Sequence, residues 1–192
     1  MKPFELNFLK LVIISTIGFW PLVAFSETDL LSEDKLILAV IADDLDVAEV
    51  LLGSKHNVDV RDRNRRTPLS LAAEGGKDDL AKLLVRFNAR VNAPDALGNT
   101  PIYYAASSNH TAVISTLIRA KADLDNQNRQ GLTPLMIAAS KGHVDALQTL
   151  LEGQADPTLT DYTGRSALDW AVRNSRQPAV RILKNIEDVQ KR

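Results

Sequence analysis

Apolar residues fall into two patterns along the chain. Near the start, an uncharged apolar run extends from Leu11 to Val23. From about residue 29 onward the apolar residues come instead in short groups at helical spacing, such as Val144, Leu147, Leu150 and Leu151, separated by Gly, Asn, Asp and Pro. This second pattern predicts pairs of short helices joined by turns.

The helical groups recur at a fixed step of 33 residues. Thr67-Pro68-Leu69, Thr100-Pro101-Ile102 and Thr133-Pro134-Leu135 share one register, and Ser166-Ala167-Leu168 and Asp34-Lys35-Leu36 occupy the same columns. Small residues recur at Ala39, Ala72, Ala105, Ala138 and Ala171. Apolar pairs recur at Leu51-Leu52, Leu84-Val85, Leu117-Ile118 and Leu150-Leu151, with Leu183 continuing the column. Thr or Ser before Pro supplies a helix N-cap and a proline at the first helical position. The alanines allow close approach between stacked helices. A column of Asp43, Gly76, Asn109, Gly142 and Ser175 suits the left-handed backbone that often ends a helix. After the second helix, a segment such as Asp95-Ala96-Leu97-Gly98-Asn99 reads as a loop tip.

A unit of helix, turn, helix and projecting loop, repeated without insertion, resembles the ankyrin repeat. The strings that carry the resemblance are DALGNTPIYYAASSNHTAVISTLI and NRQGLTPLMIAASKGHVDALQTLLEGQADP, and it covers about Asp29 to Arg192. It implies an all-α solenoid of stacked helix-turn-helix units with β-hairpin-like loops, the units being 29–61, 62–94, 95–127, 128–160 and 161–192 of a domain spanning 27–192. Two departures from the family pattern stand out. The histidine that usually follows T-P-L and ties loops together is replaced by Ser70, Tyr103, Met136 and Asp169. The glycine that ends the second helix is replaced by Lys55, Asn88, Lys121 and Gln154, where Lys and Gln would cost about 1 kcal/mol each if the left-handed turn is kept. The first unit, with Asp43, Asp44, Asp46 and Glu49, and the last, with Arg173, Arg176, Arg181 and Lys184, read as polar caps.

The resemblance also implies where a partner docks: on the loop tips and the exposed side of each first helix. Those positions hold Arg63, Asn64 and Arg66; Leu97 and Asn99; Arg129, Gln130 and Leu132; Lys141; Tyr162 and Arg165; and Arg173. Only Glu74 opposes the cations there. Arg and Tyr are enriched where binding energy concentrates. The expected partner is therefore another protein with an acidic or mixed surface.

Composition narrows the rest. Lys plus Arg is 23 against 24 for Asp plus Glu, a net charge of -1, which gives nucleic acid no bulk attraction. Cysteine is absent, which excludes disulfides, cysteine-bound metals and thiol catalysis. No nucleophile, base and orienter can be assembled, and no cofactor or metal site is expected. His110 and His143 sit one period apart, too far for one zinc when stacked helices are about 8–10 Å apart. Lys2, Lys10, the Leu11–Val23 run and the small residues Ala24 and Ser26 read as a signal peptide over 1–26, cleaved before Glu27. The run is shorter than a spanning helix needs. The expectation is an exported protein, in a bacterial periplasm or secreted, free of the membrane after cleavage and monomeric when unbound. Three roles fit: an adaptor or scaffold, an inhibitor or immunity protein blocking a toxin or enzyme, and an assembly or protective factor for an exported enzyme, as for oxidative stress.

Overall fold

Ten short helices run in sequence through the computed structural model, which describes residues 33–190, with side chains to residue 186. The signal-peptide reading lies outside the described residues. The helices are α1 Lys35–Ile41, α2 Leu45–Gly53, α3 Pro68–Glu74, α4 Asp78–Arg86, α5 Pro101–Ser107, α6 Thr111–Arg119, α7 Pro134–Lys141, α8 Val144–Glu152, α9 Ala167–Arg173 and α10 Gln177–Gln190.

The repeated Thr-Pro start does what its chemistry requires. Pro68, Pro101 and Pro134 open α3, α5 and α7, where no amide donor is needed. The hydroxyls of Thr67 and Thr133 accept from the amides of Ser70 and Met136, each at 3.2 Å. Ser166, without a proline, uses a reciprocal capping box with Asp169. Thr100 departs from the column: its buried hydroxyl makes no hydrogen bond.

Each first helix ends on a left-handed residue, at Asp43, Gly76, Asn109, Gly142 and Ser175. The next amide then reaches back to the carbonyl of the alanine column: Lys77 to Ala72, His110 to Ala105 and His143 to Ala138, each at 2.9 Å. The same alanines face the neighbouring units. Ala72, Ala105, Ala138 and Ala171 are fully buried, and α1, α3, α5, α7 and α9 stack one on the next. The second helices stack likewise behind them, with Leu84, Leu117 and Leu150 fully enclosed. Burying one such leucine contributes about 2 kcal/mol, so the stack is held mainly by these columns.

Two further columns are left-handed. Lys55, Asn88, Lys121 and Gln154 have φ of 62°, 62°, 63° and 73°, so the turn after each second helix keeps its glycine geometry without glycine. In the loops, Gly98, Gly131 and Gly164 share a column with Arg65, which adopts φ 62°. The loops are hairpin-like in their hydrogen bonds but carry no strands among the described residues, only an isolated bridge between Thr160 and Ser166.

The first unit differs from the polar cap that its acids suggest. Asp43, Asp46 and Glu49 are exposed, but so are Val47 and Val50, the latter 68% accessible. In the next two units the same columns hold Leu80 and Val113, and Leu83 and Thr116, all buried. No unit precedes the first among the described residues to bury Val47 and Val50. No helix among those residues is long and apolar enough to cross a membrane.

Candidate protein-binding face

The loops are organised by a column not evident from composition: Asp62, Asp95, Asn128 and Asp161. In each, one side-chain oxygen accepts two loop amides, two and four residues on: Asn64 and Arg66, Leu97 and Asn99, Gln130 and Leu132, Thr163 and Arg165. The backbone closes the same turn, as where the Asp95 amide donates to the Asn99 carbonyl at 3.0 Å. Successive loops are then laced together. The Ala96 amide donates to the Asn64 carbonyl at 3.0 Å and the Arg129 amide to the Leu97 carbonyl at 2.9 Å. Arg61 reaches the Pro94 carbonyl at 2.7 Å and Gln127 the Thr160 carbonyl at 2.8 Å.

The missing histidine column is offset one position along. The Tyr104 hydroxyl donates to the second oxygen of Asp95, and the Trp170 indole N–H to that of Asp161 at 3.0 Å. Both aromatics project from first helices, so each fixes a loop onto its own unit. Burial alone would raise the Asp161 pKa, but bonds from Thr163, Arg165 and Trp170 outweigh it and hold the carboxylate below its ordinary range.

A second column ties each first helix to the next unit. Lys77 donates to the carbonyls of Val40 and Ile41 at 2.7 and 2.8 Å. The Nε2 atoms of His110 and His143 donate to the carbonyls of Glu74 and Ser107, each at 3.1 Å, and Arg176 Nε to that of Ser140 at 3.2 Å. These carbonyls stand at the negative ends of helices, where donors and cations are favoured. Both histidines therefore serve as caps, and no group of three metal-ligand side chains forms among the described residues.

His143 has a pH consequence. Burial lowers its pKa below 6.5; the bond to Ser107 opposes it in part, and repulsion from Lys141, Arg176 and His110 adds to it. The unfolded chain then binds the extra proton first, so this stability is present above about pH 6.5 and lost as pH falls through the folded value. The melting temperature is expected to fall between about pH 7 and about pH 5.5, and His143→Gln to flatten that slope in melts followed by circular dichroism.

The surface positions inferred from sequence separate into three groups. Asn99 is only 7% accessible, enclosed by Asp95 and by Asn128, whose amide donates to it at 2.8 Å. It braces the loops and is removed from the contact surface. Leu132 is half-buried against the core. Arg66 is held by Asp62 at 2.8 Å and Glu74 at 2.7 Å, and Arg63 and Asn64 are exposed beside it. Units 2 and 3 therefore present a loop whose Arg66 is already paired, followed by an apolar tip, Leu97, 62% accessible.

Units 4 and 5 differ. Arg129 and Gln130 are exposed, and Lys141 is exposed while donating to the Ser107 carbonyl at 2.8 Å. Tyr162 is 71% accessible, its ring lying over Gly131; a Cβ there would fall 2.9 Å from the ring. The guanidinium groups of Arg165 and Arg173 lie 5.8 and 5.9 Å from the centre of the Trp170 ring. Sequence reasoning missed Trp170, although it shares a column with Tyr104 and is one of two tryptophans in the chain.

The family model described as ankyrin repeats, in three copies, matches residues 36–128 and again 116–192. No curated protein matches the chain.

Proposed function

This chain belongs to the ankyrin-repeat family, whose repeats are generic protein–protein interaction modules and typically not catalysts, and we propose that it is an exported adaptor that grips a partner protein on the first-helix and loop-tip face of units 4 and 5. The observation that carries this reading is the exposure on that face of Tyr162, Arg129 and Arg173, with the Arg173 guanidinium over an indole that Asp161 fixes. Arg and Tyr anchors on a pre-formed surface lose little freedom on binding, which is what makes such positions energetically dominant. Export, to a periplasm or beyond, rests on the apolar run before Ala24 and Ser26.

Capture of partners from a periplasmic extract tests the face. The double variant Arg129→Glu/Arg173→Glu is expected to lose the partner, while Gln148→Glu, exposed on the second helix α8, keeps it. Retention by the first and loss by the second would place binding on the opposite side. If the captured partner is an enzyme, activity kept in the complex supports an adaptor, and activity abolished makes the protein an inhibitor instead.

A further inference from the structure

The charge on the binding face is not spread evenly, and the unevenness identifies the partner's chemistry. In unit 2 the cation Arg66 is already neutralised by Asp62 and Glu74. In units 4 and 5, Arg129, Lys141, Arg165 and Arg173 make no ion pair with any carboxylate among the described residues. The nearby acids are committed elsewhere: Asp161 is buried under the loop and Asp169 caps α9 through Ser166. Arg165 and Arg173 are held against Trp170, whose indole is fixed by Asp161, and Tyr162 is seated on Gly131. Arg165, Arg173 and the two aromatics are thus set in place before any partner arrives.

We propose that this end of the face binds an extended acidic peptide segment of the partner, its carboxylates on Arg129 and on the Arg165–Arg173 pair. The inference rests on the reading of units 4 and 5 as the binding face. Arg129 belongs to one unit and Arg165 and Arg173 to the next, and first helices of neighbouring units pack roughly 8–10 Å apart. An extended chain rises about 3.3 Å per residue. Carboxylates about three residues apart therefore span about one repeat step, and adjacent carboxylates do not. A carboxylate accepts two parallel bonds from a guanidinium, which selects Asp and Glu over a point-like anion. Single-stranded nucleic acid fits less well. It binds by stacking bases on open aromatic rings, and two guanidinium groups already lie over Trp170.

The probe is a fluorescein-labelled peptide of about twelve residues with aspartate at every third position among glycine and serine. Binding to the full chain is read by anisotropy at low ionic strength. In a Trp20→Phe background Trp170 is the only tryptophan, so its emission reports contact at the site. Saturable binding with a change in Trp170 emission is expected. Arg129→Gln/Arg173→Gln should weaken it at least fivefold, and Arg181→Gln, exposed on α10, should leave it within twofold. Peptides with lysine in place of aspartate, or with the aspartates made adjacent, should bind at least fivefold more weakly. The proposal is overturned if the double variant binds within twofold of the parent, if the spacing makes no difference, or if an oligothymidylate of equal length binds more tightly. It is likewise overturned if the aspartate peptide does not bind while Arg129→Glu/Arg173→Glu still abolishes capture of the natural partner. That last result would leave the binding face standing and remove only its acidic chemistry.

Discussion

Asp95→Ala is expected to lower stability by about 3 kcal/mol, with the melting temperature falling by roughly 10 °C for a domain of this size. One carboxylate, 8% accessible, accepts from the amides of Leu97 and Asn99, the Asn99 side chain and the Tyr104 hydroxyl. Burial, followed by the bond to Asp95, pushes the Tyr104 hydroxyl above its ordinary range, so the phenol stays a donor. Alanine would leave that hydroxyl and the enclosed Asn99 amide without an acceptor, and each orphaned donor costs about 1–3 kcal/mol. Asn99 also receives the bond from Asn128, so the damage crosses into the next loop. Asp62→Ala makes the comparison, because its side-chain partner Arg66 retains Glu74 and is partly in water. It should cost about 1 kcal/mol. Equal losses for the two variants in urea unfolding would show that Asp95 is not a hub.

The contrast between those aspartates marks how far the sequence could be read. Stacking was legible because it is written as a period: Ala72, Ala105 and Ala138 recur at the step at which the helices stack, and all are fully enclosed. The left-handed columns were legible for the same reason, since Gly76, Asn109 and Asp43 are of the residue types that enter positive φ most readily. What periodicity does not encode is the direction of a polar side chain within a loop. Asn99 and Leu97 sit two residues apart in one tip, one enclosed and one exposed, and the difference lies in whether an amide or a carboxylate stands opposite. Arg66 reads as a surface cation until Asp62 and Glu74 are seen to hold it.

The binding face was legible as a set of columns and not as a distribution of charge. Arg66, Arg129, Lys141, Arg165 and Arg173 look equivalent along the chain, but Arg66 is paired with two carboxylates while those in units 4 and 5 make no ion pair among the described residues. Trp170 lay outside the columns assigned to the face. Its column holds Leu38, Leu71, Tyr104 and Ile137, which reads as core. In the structure it is half-buried and bonded to Asp161, with two arginines over its ring. A search for loop-bracing groups one position beyond the missing histidine would have found both Tyr104 and Trp170.

Joint replacement of Lys55, Lys121 and Gln154 by glycine is expected to raise stability by about 2 kcal/mol. The geometry that a consensus glycine would supply is retained at all three, with φ of 62°, 63° and 73°. A residue with a Cβ pays roughly 1–2 kcal/mol for that conformation. Glycine gives back part of the gain, about 0.5–1 kcal/mol, through its freer unfolded chain. A net of about 0.5–1 kcal/mol per site remains. Nothing offsets it, since the three side chains are exposed and make no hydrogen bond or ion pair among the described residues. Their backbone contacts do not depend on the side chain: the amides of Lys55, Lys121 and Gln154 donate to Leu52, Ile118 and Leu151 at 3.0, 2.9 and 3.0 Å. Asn88→Gly serves as the internal control. Asparagine already tolerates φ of 62°, so its replacement should change stability by no more than a few tenths of a kcal/mol. Because the three sites lie after α2, α6 and α8, the gain is distributed along the stack, and the whole urea transition should move to higher concentration. An unmoved midpoint, or a shift no greater than that of Asn88→Gly, would mean that the left-handed turns carry no strain and that the array has already adapted to its missing glycines.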